Sequence, residues 1–316
     1  MRLRDGLRVV RRTETEVQVG TDPRWAVRLT DVPAAVSSGP PAHLLAVDEV
    51  LLDLLTEARL TRPDLDAPVA SGPAAVDARV WSLLRPDGDG SAVVQARDGR
   101  AVAVLGLGPT GLGIAIGLAA AGVGTVLVDD DRPVRAVDVG PTGYRWTDVG
   151  SVRAAVAARL LRDVAPRVST EAARPPDVVV LVETDVADPD RGPSLVAAGT
   201  VHLSVVVREA DTVVGPLVVP GRGPCLRCLD LHRTDADPAW PALLGQLRSD
   251  AAADEPGATA CVAAGLGTAA VLAHLDGGER PPPGSLFEVA APDAVPRMRT
   301  WAVHPHCGCT ALPAVR

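Results

Sequence analysis

The chain of 316 residues contains no lysine and no asparagine, and only 2% of its residues are aromatic. Every strongly basic side chain is therefore an arginine. An anion must be met by a planar guanidinium and not by a compact ammonium. The five tryptophans, at 25, 81, 146, 240 and 301, are too dispersed to form a base-stacking platform. A surplus of positive charge is missing too: the net charge is −8 and the pI about 5.3. That excludes a sequence-independent nucleic-acid binder, which needs cations to replace phosphate counterions. No secretory signal opens the chain, because Met1 to Arg12 is too charged. Five cysteines without such a signal imply a reducing, cytoplasmic setting and favour metal ligation over disulfides. The run Ala101 to Val128 has no charged residue and is long enough to span a bilayer. Gly106, Gly108, Pro109, Gly111 and Gly113 break it into strand, turn and helix, so no membrane span is expected there.

What is present is first of all a set of paired cysteines. Cys225 and Cys228 form a C-x-x-C, and Cys307 and Cys309 form a C-x-C within His304-Pro-His306-Cys-Gly-Cys. Two short-spaced pairs can converge on one tetrahedral zinc, closed by four thiolates and hence structural. His304 and His306 are possible substitutes for one ligand. Cys261, on an alanine-rich helical stretch, reads as a buried small apolar residue.

The chain divides at a Pro/Gly/Asp/Ser-rich linker, Arg85 to Arg100, into a module over 1–95 and a larger domain over 96–316. The front module has short strand candidates at Leu7 to Val10, Glu16 to Val19 and Trp25 to Leu29. Helices are expected at His43 to Ala58 and Ala74 to Leu84, with another around Leu65. Its size suggests a winged-helix-like α+β unit. It carries 11 Arg against 14 acids from Met1 to Gln95, which points to a peptide or protein ligand before DNA. The second part alternates apolar strands with helices: strands at Ala101 to Leu105, Thr125 to Val128, Asp177 to Val182, His202 to Val207, Val213 to Val219 and Thr300 to Val303. Helices fall at Thr110 to Ala121, Val152 to Val164 and Ala260 to Leu275. Such alternation implies a Rossmann-like α/β fold, doubly wound on a mostly parallel sheet.

Several features resemble the ThiF/MoeB/HesA superfamily, relatives of the ubiquitin-activating enzymes. They are the Gly106-Leu-Gly108-Pro-Thr-Gly111 loop, Gly122-Val-Gly124, the Asp129-Asp-Asp131 run, Gly150-Ser-Val-Arg153-Ala, Thr184-Asp185 and the cysteine pairs. The resemblance covers about Arg100 to Leu312. Pro220-Gly-Arg-Gly-Pro-Cys-Leu-Arg-Cys-Leu-Asp-Leu-His and the His-Pro-His-Cys-Gly-Cys ending look like the ThiF-like partner proteins of azoline-forming cyclodehydratases, which hold a precursor-peptide leader through an N-terminal winged helix.

The resemblance implies ATP and Mg²⁺ at a cofactor site of Gly106, Gly108, Gly111, Asp129 and Asp131, with Asp129 on the ribose hydroxyls and Asp185 on the metal. Arg153 stands where the family has a phosphate-binding lysine. It also implies a homodimer, a structural zinc, and as partner a precursor peptide or small ubiquitin-like protein, with a partner modifying enzyme. The chain departs from the pattern after the acidic run: Asp138 stands near the family's asparagine, and no arginine follows at the expected place. An acid there repels phosphate, while Arg132 and Arg135 lie close enough in sequence to compensate. Two functions are therefore expected as alternatives: a protein that binds and presents a peptide over an eroded nucleotide site, or an ATP-dependent adenylyltransferase acting on a C-terminal carboxylate.

Overall fold

The computed structural model describes residues 2–32, 49–62, 71–248, 253–278 and 280–311. They fall into two compact units, Met1–Ala96 and Arg97–Arg316.

In the first unit the elements run β1 (Arg2–Leu3), β2 (Val9–Arg11), β3 (Val17–Val19), β4 (Val27–Leu29), α1 (Glu49–Glu57), β5 (Thr61–Arg62) and α2 (Ala74–Leu84). β2, β3 and β4 form a three-stranded antiparallel sheet, and β1 pairs with β5. Val17 and Val19 point inward on either side of Gln18, the two-residue period of a half-buried strand. They pack with Leu29, Leu55 and Leu60. Buried Arg4 donates to the carbonyls of Arg85 at 2.6 Å and Pro86 at 2.7 Å, beyond the end of α2. A buried helix end needs such donors because its last carbonyls have no intrahelical partner. α2 leaves Val76, Val80 and Leu84 exposed, one turn apart along a single stripe. The expected helix from His43 is described only from Glu49, and residues 43–48 and Leu65 lie outside the described residues.

The supposed linker is a correction: α3 (Gly90–Asp98) occupies most of it. Gly90 marks a close approach, since a Cβ there would lie 1.9 Å from the Ala78 carbonyl oxygen. Asp89 accepts the Ala92 N–H at 3.0 Å, a capping bond for the new helix.

The second unit continues with β6 (Ala101–Leu105), α4 (Pro109–Ala120), β7 (Thr125–Asp129), α5 (Arg153–Val164), β8 (Val178–Thr184), α6 (Arg191–Ala197), β9 (Val201–Val207) and β10 (Asp211–Val218). Then follow α7 (Leu226–Ala236), α8 (Trp240–Leu247), α9 (Gly257–Leu275), β11 (Ser285–Ala290) and β12 (Pro296–Thr300). The strands make one seven-stranded sheet in the order β12-β11-β10-β9-β8-β6-β7. β7, β6, β8 and β9 are parallel, as the apolar runs imply. β10, β11 and β12 are each antiparallel to their neighbour. β9 and β10 are joined by only a few residues, and so short a link permits only the antiparallel pairing. The last strand ends at Thr300, where the sequence suggested it would begin.

α4, α5 and α9 cover one face of the sheet and enclose the main core, with Leu112, Ile114, Leu118, Leu161, Leu203 and Val271 inside it. α4 and α9 lie close because Gly113 faces Ala264, where a Cβ would come within 2.7 Å. α9 is long and apolar enough to cross a membrane by length and composition, but it packs along α4 and β10. α6 and α7 lie on the other face, where Leu195 meets Leu181 and Leu226 meets Leu286. The chain passes from β6 to β7 on one side and returns to β8 on the other. The reversal opens a crevice at the carboxyl end of β6.

Arg97 and Asp276 are both 2% exposed and form a two-point ion pair at 2.9 and 2.7 Å. The pair ties the end of α3 to the residue after α9. Asp276→Ala should cost about 3–5 kcal/mol in urea unfolding, because it strands a buried guanidinium.

Candidate functional site

The glycine loop is built by sterics before any ligand is considered. Gly106 adopts φ +90°, and its N–H donates to the Asp129 carbonyl at 3.0 Å. A Cβ on Gly106 would lie 2.2 Å from the Val182 carbonyl oxygen, and one on Gly111 would lie 2.0 Å from that of Gly106. Both positions need glycine for strand–turn–helix packing alone. Gly108 is different, since the nearest atom to a Cβ there is Oε1 of Glu255, at 2.4 Å. The other oxygen of Glu255 accepts the Thr110 N–H at 3.0 Å. A carboxylate from the segment before α9 therefore sits at the amino terminus of α4. Burial pushes its pKa up, against the pull of the Thr110 hydrogen bond.

Beside the loop lies a buried charge cluster. Arg153 is 1% exposed and spans two carboxylates, donating to Asp130 Oδ2 at 3.2 Å and Asp138 Oδ2 at 2.5 Å. Arg132 also donates to both oxygens of Asp130, each at 2.8 Å, and Arg135 donates to Asp138 Oδ1 at 2.9 Å. The three arginines that could have served a phosphate are thus engaged by neighbouring acids. Asp138 pairs with Arg153 and Arg135 and does not stand free as a repelling charge. Asp130 was not singled out in the sequence, yet it is the hub. Its Oδ2 also accepts the Leu107 N–H at 2.8 Å, and the Tyr144 hydroxyl donates to the Leu107 carbonyl at 2.7 Å. Burial would raise the Asp130 pKa, but the Arg132 and Leu107 hydrogen bonds hold it at about 2. Burial raises that of Tyr144.

The crevice holds a cavity of about 730 Å³, lined among others by Gly106, Asp129, Asp131, Glu183, Asp188 and Arg191. Asp129 and Asp131 are exposed and line it. Asp185 is not among the lining residues. It takes a left-handed φ of 65°, and its N–H donates to the Val207 carbonyl at 2.8 Å, between the lining residues Thr184 and Val186. Burial raises the pKa of Glu183. Arg191 lies 3.6 Å from Glu183, and Arg248 lies 3.4 Å from Asp188.

The four paired cysteines come together. Their sulfurs lie 3.9 Å apart for Cys225 and Cys228, 3.7 Å for Cys225 and Cys307, and 3.5 Å for Cys228 and Cys309. All four lie within 4.8 Å of one another. A tetrahedral zinc with bonds of about 2.3 Å has sulfur–sulfur edges of about 3.8 Å, so the set fits. Burial pushes the Cys225 thiol up to about 11, and a bound cation would favour the thiolate form. His304 takes no ligand position. Its Nδ1 accepts the His306 N–H at 3.1 Å, so Nε2 carries the proton, donated to Asp235 at 2.8 Å. Its neighbours His232 and Asp235 bring ligand atoms within 4.8 Å of it, but that tautomer leaves Nε2 no lone pair for a second metal. Cys261 corrects the reading of a buried thiol, because it is exposed on the outer side of α9. His202, on β9, is fully buried.

No family model and no curated relative matches the sequence. The fold, in contrast, is that of solved structures. E. coli MccB crystallised with MccA-N7isoASN superposes with a TM-score of 0.68 at 16% identity, covering 98% of this chain and 99% of that one. E. coli MccB with ATP gives 0.66 at 16% identity over 98% and 99%. PaaA gives 0.65 at 18% identity over 93% and 98%. These likenesses, all at 18% identity or below, are likenesses of fold.

Metal analysis of the purified protein should find one zinc per chain. Cys228→Ser should lose it and lower the melting temperature. Asp130 sets a pH dependence. Its carboxyl lies near 2 in the fold against an ordinary 3.8, so its stabilisation is complete above about pH 4 and fades as the pH falls toward 2. The gap in urea midpoint between wild type and Asp130→Asn should close over that range.

Proposed function

We propose that this chain binds a precursor peptide or small protein and presents it for modification, while its glycine-loop half has lost nucleotide turnover. The observation that carries the first part is the match to MccB along its whole length, the front unit included. Structures of that protein hold MccA in N-formylated and selenomethionine forms, and a ligand that carries selenomethionine is a polypeptide. The acidic front unit, with Val76, Val80 and Leu84 exposed along α2, suits an extended ligand with basic and apolar side chains. In this reading the front unit acts as a winged-helix recognition module, and the zinc is structural. The protein works as a cytoplasmic homodimer beside a partner modifying enzyme.

Loss of turnover is supported by Arg153, whose charge is shared between two buried acids and is not free for a phosphate. Transition-state charge in phosphoryl and adenylyl chemistry needs such a cation, and losing one contact costs orders of magnitude in rate. The alternative, an adenylyltransferase activating a C-terminal carboxylate, is favoured by Asp129 at the strand end of the 730 Å³ cavity and by the ATP complex of MccB. There Asp129 would hold ribose hydroxyls, and ATP would supply the leaving pyrophosphate.

The test uses labelled synthetic peptides encoded by small reading frames beside the gene. The full chain should bind one of them, and Val80→Asp should weaken that binding at least tenfold in fluorescence anisotropy. The same protein, given the peptide with ATP and Mg²⁺, should release no pyrophosphate. Pyrophosphate release would move the protein to the alternative.

A further inference from the structure

A helix amino terminus following a glycine turn attracts anions, because its free N–H groups and the positive end of its dipole point the same way. α4 has twelve residues and begins at such a turn. No side chain caps it from its own N-cap position, which is Gly108. The anion that meets it comes from far along the chain. Glu255 lies 145 residues beyond Thr110, and its carboxylate accepts the Thr110 N–H at 3.0 Å.

Three further observations make this contact a built one. Gly108 leaves the space that the carboxylate fills, since a Cβ there would meet Oε1 at 2.4 Å. The segment carrying Glu255 is clamped from outside: Arg135 donates to the Ala253 carbonyl at 2.6 Å and to Asp254 at 3.0 Å. Pro256 then leads directly into α9, so Glu255 is fixed on both sides. Behind the carboxylate lies a pocket of about 20 Å³, room for a single water, lined among others by Gly108, Arg153, Glu183 and Glu255. The Nε of Arg153, a lining residue whose side chain is only 1% exposed, has no hydrogen-bond partner, and neither has Oε1 of Glu183, which also lines the pocket. A guanidinium N–H buried without an acceptor and an occupied helix terminus mark one anion site.

We propose that Glu255 is the resident ligand of this anion site, a carboxylate of the chain itself that takes the place of a phosphate and excludes phosphoanions from α4. It thereby sets the specificity of the crevice. The large cavity beyond it stays open, but a polyphosphate entering it meets a fixed negative charge at the helix terminus. This rests on the reading of the glycine-loop half as one without nucleotide turnover, and it names the residue that keeps it so.

The experiment is calorimetric titration of the full-length, zinc-loaded protein with pyrophosphate and with Mg²⁺–ATP. It compares wild type with Glu255→Ala and with the near-isosteric Glu255→Gln. Circular dichroism and zinc content establish that each variant is folded, and Glu255→Gln serves if the alanine variant is not. Removing the charge should tighten pyrophosphate binding at least tenfold over wild type, a change of about 1.4 kcal/mol. ATP should follow in the same direction. A folded variant that binds neither ligand more tightly than wild type overturns the proposal, and so does a wild type that already binds as tightly as the variants. Peptide binding, read by anisotropy on the same proteins, stays with the functional reading. If the peptide binds and the variants show no gain, only the role of Glu255 fails. If no peptide binds and the gain appears, the anion site stands without that reading.

Discussion

The second unit is organised around one buried electrostatic contact, the guanidinium of Arg153 held between Asp130 and Asp138. Three fully buried ionic groups are expensive to desolvate, and they persist only where each charge is answered. Here the answer extends outward through Arg132 and Arg135. The cluster joins the end of β7, the turn before Tyr144 and the first residue of α5. Through the Leu107 N–H it also fixes the glycine loop. The same contact that holds the loop therefore also engages the three nearby arginines.

The lack of lysine bears on this arrangement. A guanidinium presents several donors in a plane and can bridge two carboxylates, which a single ammonium does less well at this spacing. At position 153 the side chain extends across the cluster and pairs with both acids. A chain whose only strong cations are arginines tends toward such bridges. The nearby acids, Asp130 and Asp138, complete them.

Much of the second unit was legible because its strands are continuous apolar runs. β6 begins and ends where the run Ala101 to Leu105 does, and in the first unit α2 matches its predicted span residue for residue. The cysteine set was legible because two short spacings place four sulfurs together. Other parts were hidden for physical reasons. α7 starts at the C-x-x-C and mixes charges with leucines, so its helical period is masked by the metal-ligand signal. β11 follows a proline-glycine stretch that reads only as a turn. The contact of Glu255 with α4 depends on a tertiary approach across 145 residues, and nothing local distinguishes that glutamate from the acids around it. Exposure of Cys261 likewise depends on which side of α9 meets α4, and an alanine-rich helix does not declare its sides.

The thiolate cluster joins residues 81 positions apart, Cys228 and Cys309, and the strands β11 and β12 lie between them in sequence. During synthesis, the first pair of sulfurs leaves the ribosome long before the second. Until Cys309 emerges, the nascent chain carries only part of the cysteine set, although β11 and β12 are already made. A zinc held by the four sulfurs would therefore be the last tie made in this unit, closing only after the whole sheet has been synthesised.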